Sequence, residues 1–266
     1  MAIMTVFSQF TGSIGPVTGY KMKGFDQMIL RTKGGPTKQQ IKNGKNFAAT
    51  RNLNNEWKGV CMAAGLFRRS FYVVKHLADF NFTGITHKLC KTIQLMDTAH
   101  IPGSRSILFS EHPYIFENFH LNQKYTFDTI VTHPIQASVN RADASATITI
   151  PAIIPGISFK PQGKQPVYRF IFSLSVLPDC FFDPSEKKYV PVMEFCGMLK
   201  GYNTEWRPVT AGIAPETITI TPDYAFEPID GISLVLSAGI EFGYPLPDNT
   251  IQHAKYAGAA KVLLVG

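Results

Sequence analysis

Lys21, Lys23, Arg31, Lys33, Lys38, Lys42, Lys45 and Arg51 fall in a stretch of chain that holds one acid, Asp26. Tyr20, Phe25 and Phe47 lie among them. Lysine and arginine neutralise phosphates and release condensed counterions, and rings stack on unpaired bases, so this composition suits single-stranded nucleic acid. It equally suits the acidic surface of a neighbouring protein copy. The lysines sit in no recognisable nucleic-acid-binding motif, which puts the protein partner first.

Other residue patterns do not announce catalysis. Gly12, Gly15 and Gly19 have neither the G-x-x-x-x-G-K-[ST] phosphate loop nor dinucleotide spacing. The histidines (His76, His87, His100, His112, His120, His133, His253) form no H-E-x-x-H or H-x-H pair, so metal-ligand spacing is missing. Ser13 in TGSIG lacks the strand before and helix after that a nucleophile elbow needs. Glu194, Glu205, Glu216 and Glu227 are dispersed, without the facing pair of a glycosidase. Cys61, Cys90, Cys180 and Cys196 have apolar neighbours and no C-x-x-C spacing; they read as buried free thiols of a reducing compartment. The chain reads as non-enzymatic, with no catalytic, cofactor-binding or metal residue.

The elements that carry the basic stretch come next. Residues 1–11 read as a short strand or an arm, and Gly12 to Gly19 as turn chemistry. Val17 to Arg31 predicts a basic hairpin turning at Gly24, marginal alone. Thr37-Lys-Gln-Gln40 after Pro36 is a capping box that starts a helix. Trp57, Val60, Cys61, Ala64, Phe67, Phe71 and Val74 repeat at steps of three and four, so residues 37–79 predict one long helix or two in line, with Asn52, Asn54 and Asn55 the weak point. Ile85, Leu89, Ile93 and Met96 predict a helix over 84–98.

From Ser104 the period becomes two. Strands are predicted at 106–109, 114–119, 125–131, 146–150, 167–177, 189–195, 217–221, 232–242 and 261–265, with Tyr168, Phe170, Phe172, Leu174 and Val176 on one face. The fold class is α+β: an N-terminal basic hairpin arm (1–36) and a helical segment (37–103), followed by an antiparallel β-sandwich (104–266), Ig-like or jelly-roll-like.

A hydrophobic content of 45% with 17% charged residues in 266 residues says folded, and low in charge for a free monomer. Residues 1–100 carry 14 Lys and Arg against 4 acids; residues 101–266 carry 12 against 15. Opposite signs on the two parts fit docking between copies. No apolar run of membrane-spanning length occurs. MAIMTVFSQFTGSIG lacks the basic start and long apolar core of a secretory signal, so a cytoplasmic or virion location is expected.

The order G-x-x-G-P-V-x-G, K-x-K-G, I-L-R-T-K-G-G-P-T-K-Q-Q, N-F-A-x-T-R-x-x-N-x-E-W resembles an uncharacterised domain family encoded mainly in Bacteroidota genomes. Gly12, Gly15, Val17, Gly19, Lys23, Gly24, Arg31, Lys33, Pro36, Thr37, Gln40, Phe47, Arg51, Asn55 and Glu56 carry it, over about 45 residues. Those chains open with a Gly-rich basic hairpin, continue with a P-T-x-x-Q helix and end in sandwich-like sequence; the resemblance supplies no catalytic residue. The same opening is similar, more weakly, to phage-type virion structural proteins.

These readings converge on a structural protein that self-associates into a filament, shell or virion component as a homo-oligomer. Phe7, Phe10, Tyr20, Phe25 and Met28 would insert between copies while the arm cations pair with acids there. The alternatives are nucleic-acid binding through residues 21–51, and a ligand- or surface-binding sandwich using Tyr202 and Trp206.

Overall fold

Contacts divide the chain into two units, residues 1–51 and 52–266. The computed structural model describes residues 3–6, 9–24, 26–32, 34–224, 226 and 228–266.

In the first unit, β1 (Ile3–Val6), β2 (Gln9–Ile14), β3 (Val17–Lys21) and β4 (Met28–Thr32) form an antiparallel meander in chain order. The hairpin expected over Val17–Arg31 is β3–β4, with Gly24 at φ 90° in its connection. The turn expected over Gly12–Gly19 shrinks to Gly15-Pro16, and Gly12 and Gly19 are strand residues facing each other. A Cβ on Gly19 would stand 2.2 Å from the Phe10 carbonyl oxygen, so this glycine permits close backbone approach instead of making a turn.

Helix α1 (Lys38–Asn43) starts at the expected box: the Thr37 amide donates to Gln40 Oε1 at 2.7 Å and the Gln40 amide to Thr37 Oγ1 at 3.2 Å. It stops at Gly44, whose extended backbone (φ −69°, ψ 133°) ends the helical hydrogen-bond run. A 3-10 turn over Lys45–Phe47 leads into α2 (Ala48–Ser70). The break thus falls at Gly44, not at the asparagines. Asn55 lies within α2 and donates its side-chain amide to the Gly103 carbonyl at 2.6 Å.

The second unit adds a 3-10 segment over Tyr72–Leu77, α3 (Thr83–Met96), a 3-10 turn over Pro113–Ile115 and α4 (Phe127–Ile130). Strands follow: β5 (Gln136–Asn140), β6 (Ser145–Ile150), β7 (Val167–Pro178), β8 (Cys180–Asp183), β9 (Lys188–Pro191), β10 (Gly197–Asn203), β11 (Arg207–Pro208), β12 (Glu216–Ile220), β13 (Ile232–Pro245) and β14 (Ile251–Val265). The large sheet runs β10-β7-β13-β14 with β11 also on β7; a second runs β12-β6-β5; β8 and β9 pair alone. All these strand pairs are antiparallel. The fold is mixed helix and antiparallel sheet.

The large sheet is buried on both faces. Tyr168, Phe170, Phe172, Leu174 and Val176 of β7 share one core with Ile148, Ile150, Ile218 and Ile220 of the second sheet. Ile171 and Leu177 of the same strand share another core with Val60, Phe67, Phe71 and Val74. Double burial explains why β7 reads as a near-continuous apolar run.

Several sequence expectations give way. Residues 106–109 hold one isolated bridge, Ile107 to Cys180, and 113–115 are a 3-10 turn. The strand expected over 125–131 is α4: the segment is too short for periodicity to separate helix from strand, and Thr126 with Asp128 suits a helix start. On α3 the buried residues are Thr86, Cys90, Ile93 and Gln94, while Ile85 and Met96 are exposed. The helix is turned to bring Gln94 to the Glu56 carbonyl (3.1 Å) and the Tyr189 hydroxyl (3.2 Å). Trp57 and Cys61 lie off the α2 core stripe and are exposed, so the four thiols are not uniformly buried.

Candidate functional site

The pleat sorts the meander's side chains. On β3 and β4, Thr18, Tyr20, Ile29 and Arg31 share one face, and Ser13 of β2 joins them, its Oγ 3.0 Å from Thr18 Oγ1. Ile14, Val17, Met28 and Leu30 share the opposite face with Gly19 and Lys21. Thr32 also falls there, opposite Val17, so four apolar side chains lie between Lys21 and Thr32, yet Ile14 is 44% and Leu30 50% exposed. Gly19, which has no side chain to bury, is the one buried position among residues 10–24, 26–32 and 34–51.

Of the expected interface residues, Phe10 and Met28 are half-buried and Tyr20 is exposed on the other face, with Arg31 5.7 Å above its ring. Phe7 and Phe25 lie outside the described residues. The meander therefore separates Tyr20 from Met28 instead of uniting them in one patch. Lys21, Lys23, Arg31, Lys38, Lys42 and Lys45 are exposed, and among the described residues none forms an ion pair. Lys33 is outside the described residues. Arg51 is turned inward: its Nη1 donates to the carbonyls of Ile41 (2.8 Å) and Gly44 (2.7 Å), closing the end of α1. Residues 1–51 hold eight cations and one acid; residues 52–266 hold eighteen of each sign. The whole net charge of +7 belongs to the first unit.

The second unit holds a titratable cluster that sequence spacing did not reveal. The nearly buried Glu241 of β13 accepts from His76 Nε2 at 3.2 Å and His253 Nδ1 at 2.6 Å on one oxygen, and from Arg169 Nε at 2.8 Å on the other. Burial works to raise its pKa, but these hydrogen bonds outweigh it and hold the carboxyl at about 2. His76 also faces the Val73 carbonyl through Nδ1 at 3.0 Å. With an acceptor at each nitrogen, both must donate, which is the imidazolium form. The Glu241 bond accordingly raises the His76 pKa against the effect of burial.

The cluster ties the 72–77 segment to β7, β13 and β14. Every oxygen of Glu241 is engaged by a donor, so its chemistry is that of an ionic clamp. Among the described residues no group of three or more His, Cys, Asp or Glu is arranged to hold a metal ion. The legible hint was a lone Glu in the apolar run AGIEFG. Trp206 lies beneath Arg169 (4.7 Å) and edge-on to His253 (5.7 Å), so it belongs to this clamp, while Tyr202 is 37% exposed on β10.

No family model and no curated protein matches the chain. A solved structure named pT26-6p is similar over 48% of this chain and 21% of its own, at 11% identity and a TM-score of 0.28. The match spans about a fifth of that protein's length, and likeness at this score carries no argument. Among the described residues no helix is long and apolar enough to cross a membrane.

Proposed function

We propose that the chain is a non-enzymatic structural protein that self-associates into a repeated assembly (a filament, a shell or a virion component) through its N-terminal meander. The observation that carries this reading is the uncovered apolar face of β2–β4. A few-stranded sheet gains independent stability by covering one face, and here no described side chain of the unit is buried. Burying one large aliphatic side chain contributes roughly 1.5–3 kcal/mol, so a neighbouring copy that covers Ile14, Val17, Met28 and Leu30 supplies what the meander lacks. The concentration of charge supports the same contact: cations without partners seek acids on the next copy. We read the second unit as a two-sheet sandwich, since β12-β6-β5 and the large sheet share one core. The weaker likeness of the opening residues to phage-type virion structural proteins agrees with this role.

The test is removal of residues 1–36. Light scattering after size exclusion should show large uniform particles for the full chain, and a folded monomer for the truncated one. Equal assembly by both would overturn the reading. The unpaired cations favour a second reading, nucleic-acid binding through residues 21–51; it predicts a monomer that shifts only when oligonucleotide is added at low salt.

A further inference from the structure

We infer a binding cleft for a small organic anion in the second unit, separate from the meander and independent of its role. The cleft encloses about 270 Å³, roughly the share of nine water molecules. Three chain segments build it. The first carries Lys124, Tyr125 and Ile130, the second is the 162–165 turn, and the third is the start of β14 with Phe242 of β13 across from it.

An irregularity of the sheet creates the third wall. β13 and β14 pair through Glu241 with Gly258 and then through Gly243 with His253, so residues 254–257 oppose Phe242 alone. This four-residue bulge pushes Lys255 and Ala257 out of the ladder and into the lining. Bulges serve to re-aim side chains at sites in this way. Gly258 closes it at φ 118°, where a Cβ would stand 2.3 Å from the Ile240 carbonyl oxygen.

The opposite wall is pinned. The Asp79 carboxylate accepts from the backbone amides of Gln123 (2.8 Å) and Lys124 (3.0 Å). Lys124 then lies with Nζ 5.2 Å from the centroid of the Tyr125 ring.

Charge and polarity define the occupant. Ile130 and Phe242 are buried core residues at the base of the cleft, Gln162 and Gln165 give it polar walls, and the exposed Tyr125 ring supplies its apolar face. Among the described residues Lys124 and Lys255 are its two charged lining residues, and no Asp or Glu lines it. Among the described residues neither lysine has a carboxylate within ion-pair distance. Asp128, two residues from Ile130, is held by Lys261 at 2.7 Å and His120 at 3.5 Å. A ring stacked on Tyr125, bearing a phosphate or carboxylate that the lysines attract, satisfies both parts. The basic meander of another copy is excluded by like charge.

Calorimetric titration of the full chain with phenyl phosphate, benzoate, inorganic phosphate and phenol tests this. Phenyl phosphate or benzoate should bind more tightly than inorganic phosphate, and phenol should give no binding; which of the two is tighter identifies the anion. Lys124→Gln with Lys255→Gln should weaken that binding roughly tenfold or more. Should the double variant fail to fold, Lys255→Gln alone, at an exposed position, is read in the same way. Absence of binding by both ring anions up to about 20 mM, or equal affinity in the variant, overturns the proposal.

Discussion

Glu241 shows how one residue couples distant parts of the chain to pH. Its carboxyl is held at about 2 against an ordinary value of 4.5. A lowered carboxylate contributes stability above its unfolded value, and that contribution is lost as pH falls from about 4.5 toward 2. His76 works in the other direction. Its raised value means a contribution fully present below about 6.5, its unfolded value, and lost as pH rises through the folded one. The clamp is therefore strongest in the window from about 4.5 to 6.5. The thermal midpoint measured from pH 3 to 9 should fall on both sides of that window. Glu241→Gln should flatten both limbs, because His76 loses its anionic partner; His76→Gln should flatten chiefly the alkaline one. None of this was legible from spacing, since His76, Arg169, Glu241 and His253 come from four separate elements.

At the scale of elements, legibility followed the length of the pattern. The Thr37–Gln40 box, the α2 core stripe and the 167–177 and 232–242 strands each carry a local signal strong enough to survive tertiary packing. Residues 104–131 carry short apolar runs between Pro, Gly and His, where helix and strand periods coincide, and there 3-10 turns and α4 replaced the expected strands. β5, β8 and β10 escaped notice because QASVN, CFFD and GMLKGYN are short or glycine-broken. In the meander the hairpin was readable, but the role of Gly19 was not, because a strand glycine and a turn glycine look alike in sequence. Gly19→Ala should force β2 and β3 apart, since its Cβ would stand 2.2 Å from the Phe10 carbonyl oxygen. The expected outcome is loss of assembly by light scattering with an unchanged melting transition of the second unit; intact assembly would show that the meander tolerates opening.

For the whole molecule, the placement of charge decides how association responds to salt. The first unit carries the entire +7, and the screening length shrinks from about 8 Å at 0.15 M to about 3 Å at 1 M. Assembly through both cations and the apolar face should slow at high salt without vanishing, whereas Ile14→Asp with Leu30→Asp should abolish it at either salt. Light scattering at low and high sodium chloride separates the two contributions. The doubly buried large sheet has a further consequence for how this chain comes into being. Helices α2 and α3 leave the ribosome first, but the strands that cover their apolar faces are not complete until residue 265. At usual synthesis speeds that gap is roughly ten to thirty seconds. Throughout it Phe67, Phe71 and Val74 lack the cover that β13 and β14 supply, so the nascent chain is a natural client for a chaperone, and the second unit can reach its native state only after residue 265 has been made.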